Sequence, residues 1–149
     1  MTTTRLPTDF NEFLRLLAEH DVRYLIVDGY AVGYHGYPRA TGDMDVWVNA
    51  TPENAERLVV ALREFGFDVP QLEPALFLEP DRVVRMGHPP LRIELLTSVS
   101  GVTFSECYST REQDEIGETP VHIIGLGKLK ENKRASGRNK DLDDLETLP

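Results

Sequence analysis

The chain has 149 residues, 40% hydrophobic and 28% charged, which fits one folded domain and excludes a disordered chain. Sixteen Lys and Arg stand against 25 Asp and Glu, and the net charge of -9 argues against an autonomous nucleic-acid binder. The lone cysteine, Cys107, excludes an intramolecular disulfide framework, and no apolar run approaches the roughly 20 residues that span a bilayer. Thr8 to His20 reads as an amphipathic helix, with Phe10, Phe13, Leu14, Leu16 and Leu17 at helical spacing. Val22 to Val27 is a short β-rich run suited to a buried strand, broken at Asp28-Gly29. Tyr30 to Tyr34 predicts a short helix ended by Gly36 and Pro38. Met44 to Asn49 alternates, so Asp43, Asp45 and Trp47 share one face of a strand. Thr51-Pro52 opens a helix that ends at Gly66.

Five prolines from Pro70 to Pro90 break the next stretch into short pieces. Arg82 to Met86 and Leu91 to Leu96 are expected as strands, and Arg92 and Glu94 share the polar face of the second. Phe104 to Arg111 reads as a helical turn and Val121 to Ile124 as the last strand. Two helices follow, Gly127 to Ala135 and Lys140 to Leu148. The expected fold is α/β (α+β): a small mixed sheet in one domain spanning 1–149, with the last two helices (about 127–148) packed on it. The N-terminus shows no apolar signal segment, so the expectation is a soluble cytoplasmic protein.

Chemistry concentrates in Gly29 to Val48. Asp43 and Asp45 project from one strand face, roughly 6–7 Å apart at the backbone. Two carboxylates so placed repel unless a cation lies between them, and oxygen-only ligands suit Mg²⁺ or Mn²⁺. Glu94 becomes a third carboxylate if its strand pairs beside the first. Three such groups could hold two metals for in-line phosphoryl transfer. The strand-to-helix turn at Asp28-Gly29 would offer backbone amides to phosphate. His35 reads as a packed or capping histidine, because no second histidine sits at ligand spacing. Trp47 reads as packing, or as a platform for a base.

These residues resemble the DNA polymerase β-like nucleotidyltransferase superfamily, and more closely its small bacterial members related to the minimal nucleotidyltransferases and AbiEii-type toxins. That pattern is Gly-Gly ending a strand, His-Gly-x-x-Arg-x-Thr, then Asp-x-Asp. It is matched by Gly29, His35, Gly36, Arg39, Thr41, Asp43 and Asp45. A later Lys/Arg/Asp signature is matched by Lys133, Arg138, Asp141 and Asp144. The resemblance runs from about Val22 to Leu148. It implies that Asp43, Asp45 and Glu94 ligate catalytic Mg²⁺ or Mn²⁺. It implies that Gly29 and Tyr30 present amides to the β- and γ-phosphates, with Arg39 and Thr41 in the loop before Asp43. Lys133 or Arg138 would neutralise phosphate charge. The implied reaction moves a nucleoside monophosphate from a nucleoside triphosphate to a tRNA or other RNA, a protein or a small molecule, within a toxin–antitoxin or defence pair and beside a partner protein.

The chain departs from the pattern at its first glycine, which is Asp28 here. An acid beside a phosphate cradle opposes a triphosphate, unless Asp28 caps the following helix. Two alternatives follow. One is a degenerate, non-catalytic nucleotide- or partner-binding module. The other, resting on the same carboxylates, is a nuclease or phosphohydrolase.

Overall fold

The computed structural model describes residues 8–36, 42–88 and 91–149. In chain order the elements are α1 (Thr8–Glu19), β1 (Tyr24–Val27), α2 (Asp28–His35), β2 (Asp43–Val48), α3 (Pro52–Phe65), β3 (Val83–His88), β4 (Leu91–Leu96), α4 (Phe104–Ser109), β5 (Glu112–Ile116), β6 (Thr119–Ile123), α5 (Leu126–Ser136) and α6 (Asn139–Thr147). A 3₁₀ turn at Pro74–Phe77 breaks the proline-rich stretch. The strands form one six-stranded mixed sheet in the order β3-β4-β2-β1-β6-β5. This is the mixed α/β architecture expected from the chain order of apolar runs.

The centre of the sheet is built from the most apolar strands. All four residues of β1 are buried, and Met44, Val46 and Val48 of β2 are fully covered. β1 runs antiparallel to β2 and parallel to β6, while β2 runs parallel to β4. Helix α3 starts as its sequence dictates. Pro52 takes the first helical position, the Thr51 hydroxyl accepts from the Asn54 amide, and Gly66 closes the helix at φ +105°. Phe13 of α1 meets Phe65 of α3 with ring centroids 5.2 Å apart. Trp47, on the other face of β2, packs edge-on against Phe104 of α4 at 5.2 Å. Trp47 is thereby a core residue, 2% exposed.

β5 has no counterpart in the expected elements. Its sequence, EQDEI, carries no apolar alternation, and its residues are exposed or half-buried. It forms because Gly117 at φ +65° turns the chain back on β6. Charge along such an edge strand also discourages pairing with another chain.

Candidate active site

The site begins where β1 ends. Val27 is the Cα partner of Asp45, and Asp45 in turn is the partner of Glu94 on β4. Asp43 lies opposite Arg92 one step along the same pair. The parallel pairing of β2 with β4 therefore brings Asp43, Asp45 and Glu94 together on one face. Asp45 is the buried member, 9% exposed. Its carboxyl is pushed up to about 7, first by burial, then by the negative charge of Asp28 and by a hydrogen bond and charge from Glu94.

Arginines flank the carboxylates. Arg92 Nε donates to Asp43 Oδ1 at 3.2 Å. Arg85 Nε on β3 donates to Glu94 Oε1 at 3.0 Å. Glu94 is thus paired from the neighbouring strand, rather than with Arg92 as its place in the sequence suggests.

Asp28 stands at the junction of β1 and α2. Its backbone has φ +53°, the left-handed region that glycine enters freely and other residues enter at a cost of about 1 kcal/mol. The glycine of the family pattern would therefore suit this position. Asp28 is no helix cap: α2 begins without a side-chain cap bond. Its carboxylate instead accepts from Lys133 Nζ at 2.5 Å.

Lys133 lies at the centre of a buried charge cluster. Its ammonium sits 2.5 Å from Asp28, 3.1 Å from Asp141 and 3.1 Å from Asp144. The residue is 1% exposed, and Asp141 and Asp144 are equally enclosed. Burial works against the ammonium, but these acids outweigh it and hold its pKa above the ordinary lysine value. Asp28, Asp141 and Asp144 have carboxylate oxygens within 4.8 Å of one another, close enough for a metal ion. The Lys133 ammonium takes the cation position in that trio. Lys133, expected as a phosphate-neutralising residue, directs its ammonium at the trio and also lines the cavity between the sheet and α5.

Arg138 is reachable. Its side chain is 63% exposed and Nε donates to Asp141 Oδ2 at 2.7 Å. Ser136 Oγ donates to the same Asp141 oxygen at 2.7 Å. Burial would raise the Asp141 carboxyl, yet Arg138, Ser136 and Lys133 together hold it far below the carboxylate range. Lys140 Nζ stands 3.7 Å from Asp28.

Gly29 is buried in the first turn of α2. Tyr30 follows it, with its ring edge-on to Phe10 at 5.7 Å. The His35 ring donates through Nε2 to the Ile124 carbonyl at 2.7 Å, so His35 is a packed histidine. Arg39 and Thr41 lie outside the described residues.

Between the sheet and α5 is a cavity of about 330 Å³, lined among others by Val27, Asp28, Ser100, Asn132, Ser136 and Arg138. Ser100, Asn132 and Ser136 were not legible as site residues. They come from a loop and a helix far apart in sequence, and small polar residues there carry no motif.

No family model matches the chain, and no curated protein sequence matches it. Solved structures do. The lincosamide antibiotic adenylyltransferase LnuA, solved with lincomycin bound, aligns over 96% of both chains at 10% identity, with a TM-score of 0.56. An antigenic nucleotidyltransferase-like protein from Paracoccidioides brasiliensis aligns over 97% of this chain and 77% of its own at 17% identity, with a TM-score of 0.53. The chain has the fold of these nucleotidyltransferase structures.

Proposed function

We propose that the protein is a metal-dependent nucleotidyltransferase that moves a nucleoside monophosphate from a nucleoside triphosphate to an acceptor. The observation that carries this reading is the in-register placement of Asp45 beside Glu94, with Asp43 on the same face, next to the β1–α2 turn. The donor set fits Mg²⁺ or Mn²⁺. It is all oxygen, and its buried member, Asp45, is pushed up to about 7, first by burial and then by the negative charges of Asp28 and Glu94, a crowding that a divalent cation would relieve. Asp43, Asp45 and Glu94 would hold it. Bound there, the metal supplies Lewis-acid stabilisation of charge on the phosphate oxygens.

This chain's own residues then divide the work. The first turn of α2, at Gly29 and Tyr30, faces the β- and γ-phosphates, aided by Arg39 and Thr41 and by the reachable guanidinium of Arg138. Glu94, held by Arg85, receives the proton of the attacking hydroxyl. That oxygen forms its bond to the α-phosphorus as the bond to pyrophosphate breaks. Lys133 acts from behind, fixing Asp28 and the turn.

The acceptor classes implied by the resemblance are RNA, protein and small molecule, and LnuA, a lincosamide antibiotic adenylyltransferase, exemplifies the last. A cytoplasmic setting within a toxin–antitoxin or defence pair is likewise part of the proposal. Among the described residues no helix is long and apolar enough to cross a membrane. A second reading, a nucleotide-binding module without catalysis, is favoured by Asp28, whose carboxylate stands where the pattern has glycine.

The deciding experiment is transfer from each α-labelled nucleoside triphosphate with Mg²⁺ or Mn²⁺, beside folded Asp43→Asn. Label in an acceptor that is lost in Asp43→Asn supports transfer. Label retained by that variant removes Asp43 from the metal site. Nucleotide bound but never transferred, regained in Asp28→Gly, supports the second reading.

A further inference from the structure

The sheet face that carries Asp43 and Asp45 continues through Trp47 to α4. Trp47 packs edge-on against Phe104, and Phe104 stacks on Tyr108 with ring centroids 5.4 Å apart. Two guanidinium groups close on that last ring. The Arg111 guanidinium lies 3.8 Å from the Tyr108 centroid, and that of Arg23 lies 5.5 Å from it. Arg23 comes from the link between α1 and β1, and Arg111 from the link between α4 and β5. Tertiary folding, and no local motif, brings both to one ring.

Both arginines are held in place from the protein side. Arg111 Nε donates to His122 Nδ1 at 3.1 Å, and Arg111 Nη1 donates to the Tyr108 carbonyl at 2.7 Å. Nη2 and the second Nη1 proton have no partner among the described residues. His122 adds no charge of its own, because burial and then the Arg111 charge hold its pKa below the ordinary histidine value. The Arg23 backbone is fixed by the buried Asn54, whose Oδ1 accepts from the Arg23 amide at 2.7 Å and whose Nδ2 donates to the Arg23 carbonyl at 3.0 Å. Arg23 itself is exposed and Arg111 half-buried, so solvent reaches the pair.

No carboxylate answers these two charges. Arg15, Arg63, Arg82, Arg85, Arg92 and Arg138 each pair with an acid, as a net charge of -9 makes easy. Among the described residues Arg23 and Arg111 pair with none. Glu106, on α4, is taken by Lys128. The Tyr108 ring attracts each guanidinium but supplies no counter-charge, and the two cations repel. An anion set between them removes that repulsion. The planar guanidinium fork matches phosphate oxygens in particular.

We propose that Arg23 and Arg111, braced on Tyr108, form a binding site for a single phosphate group, carried by a small phosphate monoester or present as inorganic phosphate. The site goes beyond the nucleotidyl-transfer reading and does not depend on it. It shares a sheet face with Asp43 and Asp45 but none of the residues assigned to the metal or the triphosphate. A nucleic acid is the poorer occupant, because two cations on so acidic a chain neutralise few of its phosphates.

The test titrates the full chain by calorimetry at low salt, with a chelator present so that no divalent cation contributes. Inorganic phosphate, ribose 5-phosphate and a short single-stranded RNA are the probes. Arg23→Gln, Arg111→Lys and Arg138→Gln run in parallel, and the melting temperature of each is measured. The expected result is saturable binding of one or both small probes. A preference for ribose 5-phosphate marks a monoester ligand, and a preference for inorganic phosphate marks the free ion. Arg23→Gln should weaken that binding at least about tenfold, with its melting temperature within about 2 °C of the parent. Arg111→Lys, which keeps the charge and loses the fork, should weaken it at least about threefold, and Arg138→Gln should leave it unchanged. Absence of saturable binding, undiminished binding by Arg23→Gln, or a loss in Arg138→Gln instead overturns the proposal. Tighter binding of the RNA than of either small probe, lost in Arg23→Gln, overturns it in favour of a nucleic-acid surface. Each of these outcomes leaves nucleotidyl transfer standing.

Discussion

Asp45 on β2 and Glu94 on β4 stand opposite each other across a parallel strand pair, two carboxyl groups on one face of the sheet. That pairing stores a cost. Burial, Asp28 and Glu94 lift the Asp45 carboxyl from an ordinary 3.8 to about 7. An acid that titrates higher in the folded than in the unfolded chain holds its proton longer on folding. Below about pH 4 both states are protonated and nothing is lost. Between about pH 4 and 7 the folded state loses stability as pH rises, and above 7 the loss is complete, at most about 4 kcal/mol.

Asp45→Asn should therefore be more stable than the parent by about 1–4 kcal/mol at pH 8, with the advantage fading toward pH 4. Urea melts at pH 4.5, 6 and 8 check this. A difference that stays constant with pH would mean that Asp45 does not titrate as described.

The same crowding predicts a response to divalent cations. Mn²⁺ at 100 times its dissociation constant should stabilise the parent by about 2.7 kcal/mol and leave Asp45→Asn unmoved. Arg92, which sits on Asp43 at 3.2 Å, competes with a cation there. The pair is largely exposed, so Arg92→Ala should change stability by less than about 1 kcal/mol while tightening Mn²⁺ binding. Calorimetric titration decides it, and weaker Mn²⁺ binding in Arg92→Ala would place Asp43 outside the metal site.

Much of this arrangement was legible from alternation alone. The spacing of Asp43 and Asp45, and the polar face of LRIELL, follow from the two-residue period of a strand. Which strands would pair was not so fixed, and only the parallel β2–β4 register sets Asp45 beside Glu94 rather than beside Arg92. β5 was invisible because its stability comes from its partner β6 and not from its own apolar residues. Lys133 was the harder case. A lysine within a run of charged residues reads as solvated or phosphate-binding, and its enclosure depends on α6 folding back over α5 to bring Asp141 and Asp144 to it. Nothing local in ENKRASGRNKDLDD separates those two outcomes.

The approach of Gly101 to α5 gives a sharper stability test. Gly101→Ala combines a left-handed backbone with a 2.3 Å overlap on Ala135. It should cost about 1–3 kcal/mol and speed amide exchange in the 97–103 loop. The smaller Ala135→Gly should restore part of that loss. Failure of the second change to restore anything would assign the cost to the backbone alone.

The charge cluster makes the last prediction, because its two ends respond oppositely. Lys133→Met leaves Asp28, Asp141 and Asp144 facing one another without their central cation, and should cost about 3–5 kcal/mol. Mn²⁺ should recover part of that loss, since the trio has metal-ligand spacing once the ammonium is gone. Asp28→Gly removes one acid but leaves Lys133 its two other partners, 3.1 Å away. It also places glycine at φ +53°, where the backbone prefers it. Its net effect should stay within about 1 kcal/mol, the lost ion pair against the relieved backbone. Removing the Asp28 charge should also lower the Asp45 carboxyl below 7, moving the pH dependence of stability to more acid values. Denaturant melts of both variants across pH 4 to 8 measure all three effects. Equal losses in Lys133→Met and Asp28→Gly would show that Asp28, and not the lysine, is what the cluster is built around.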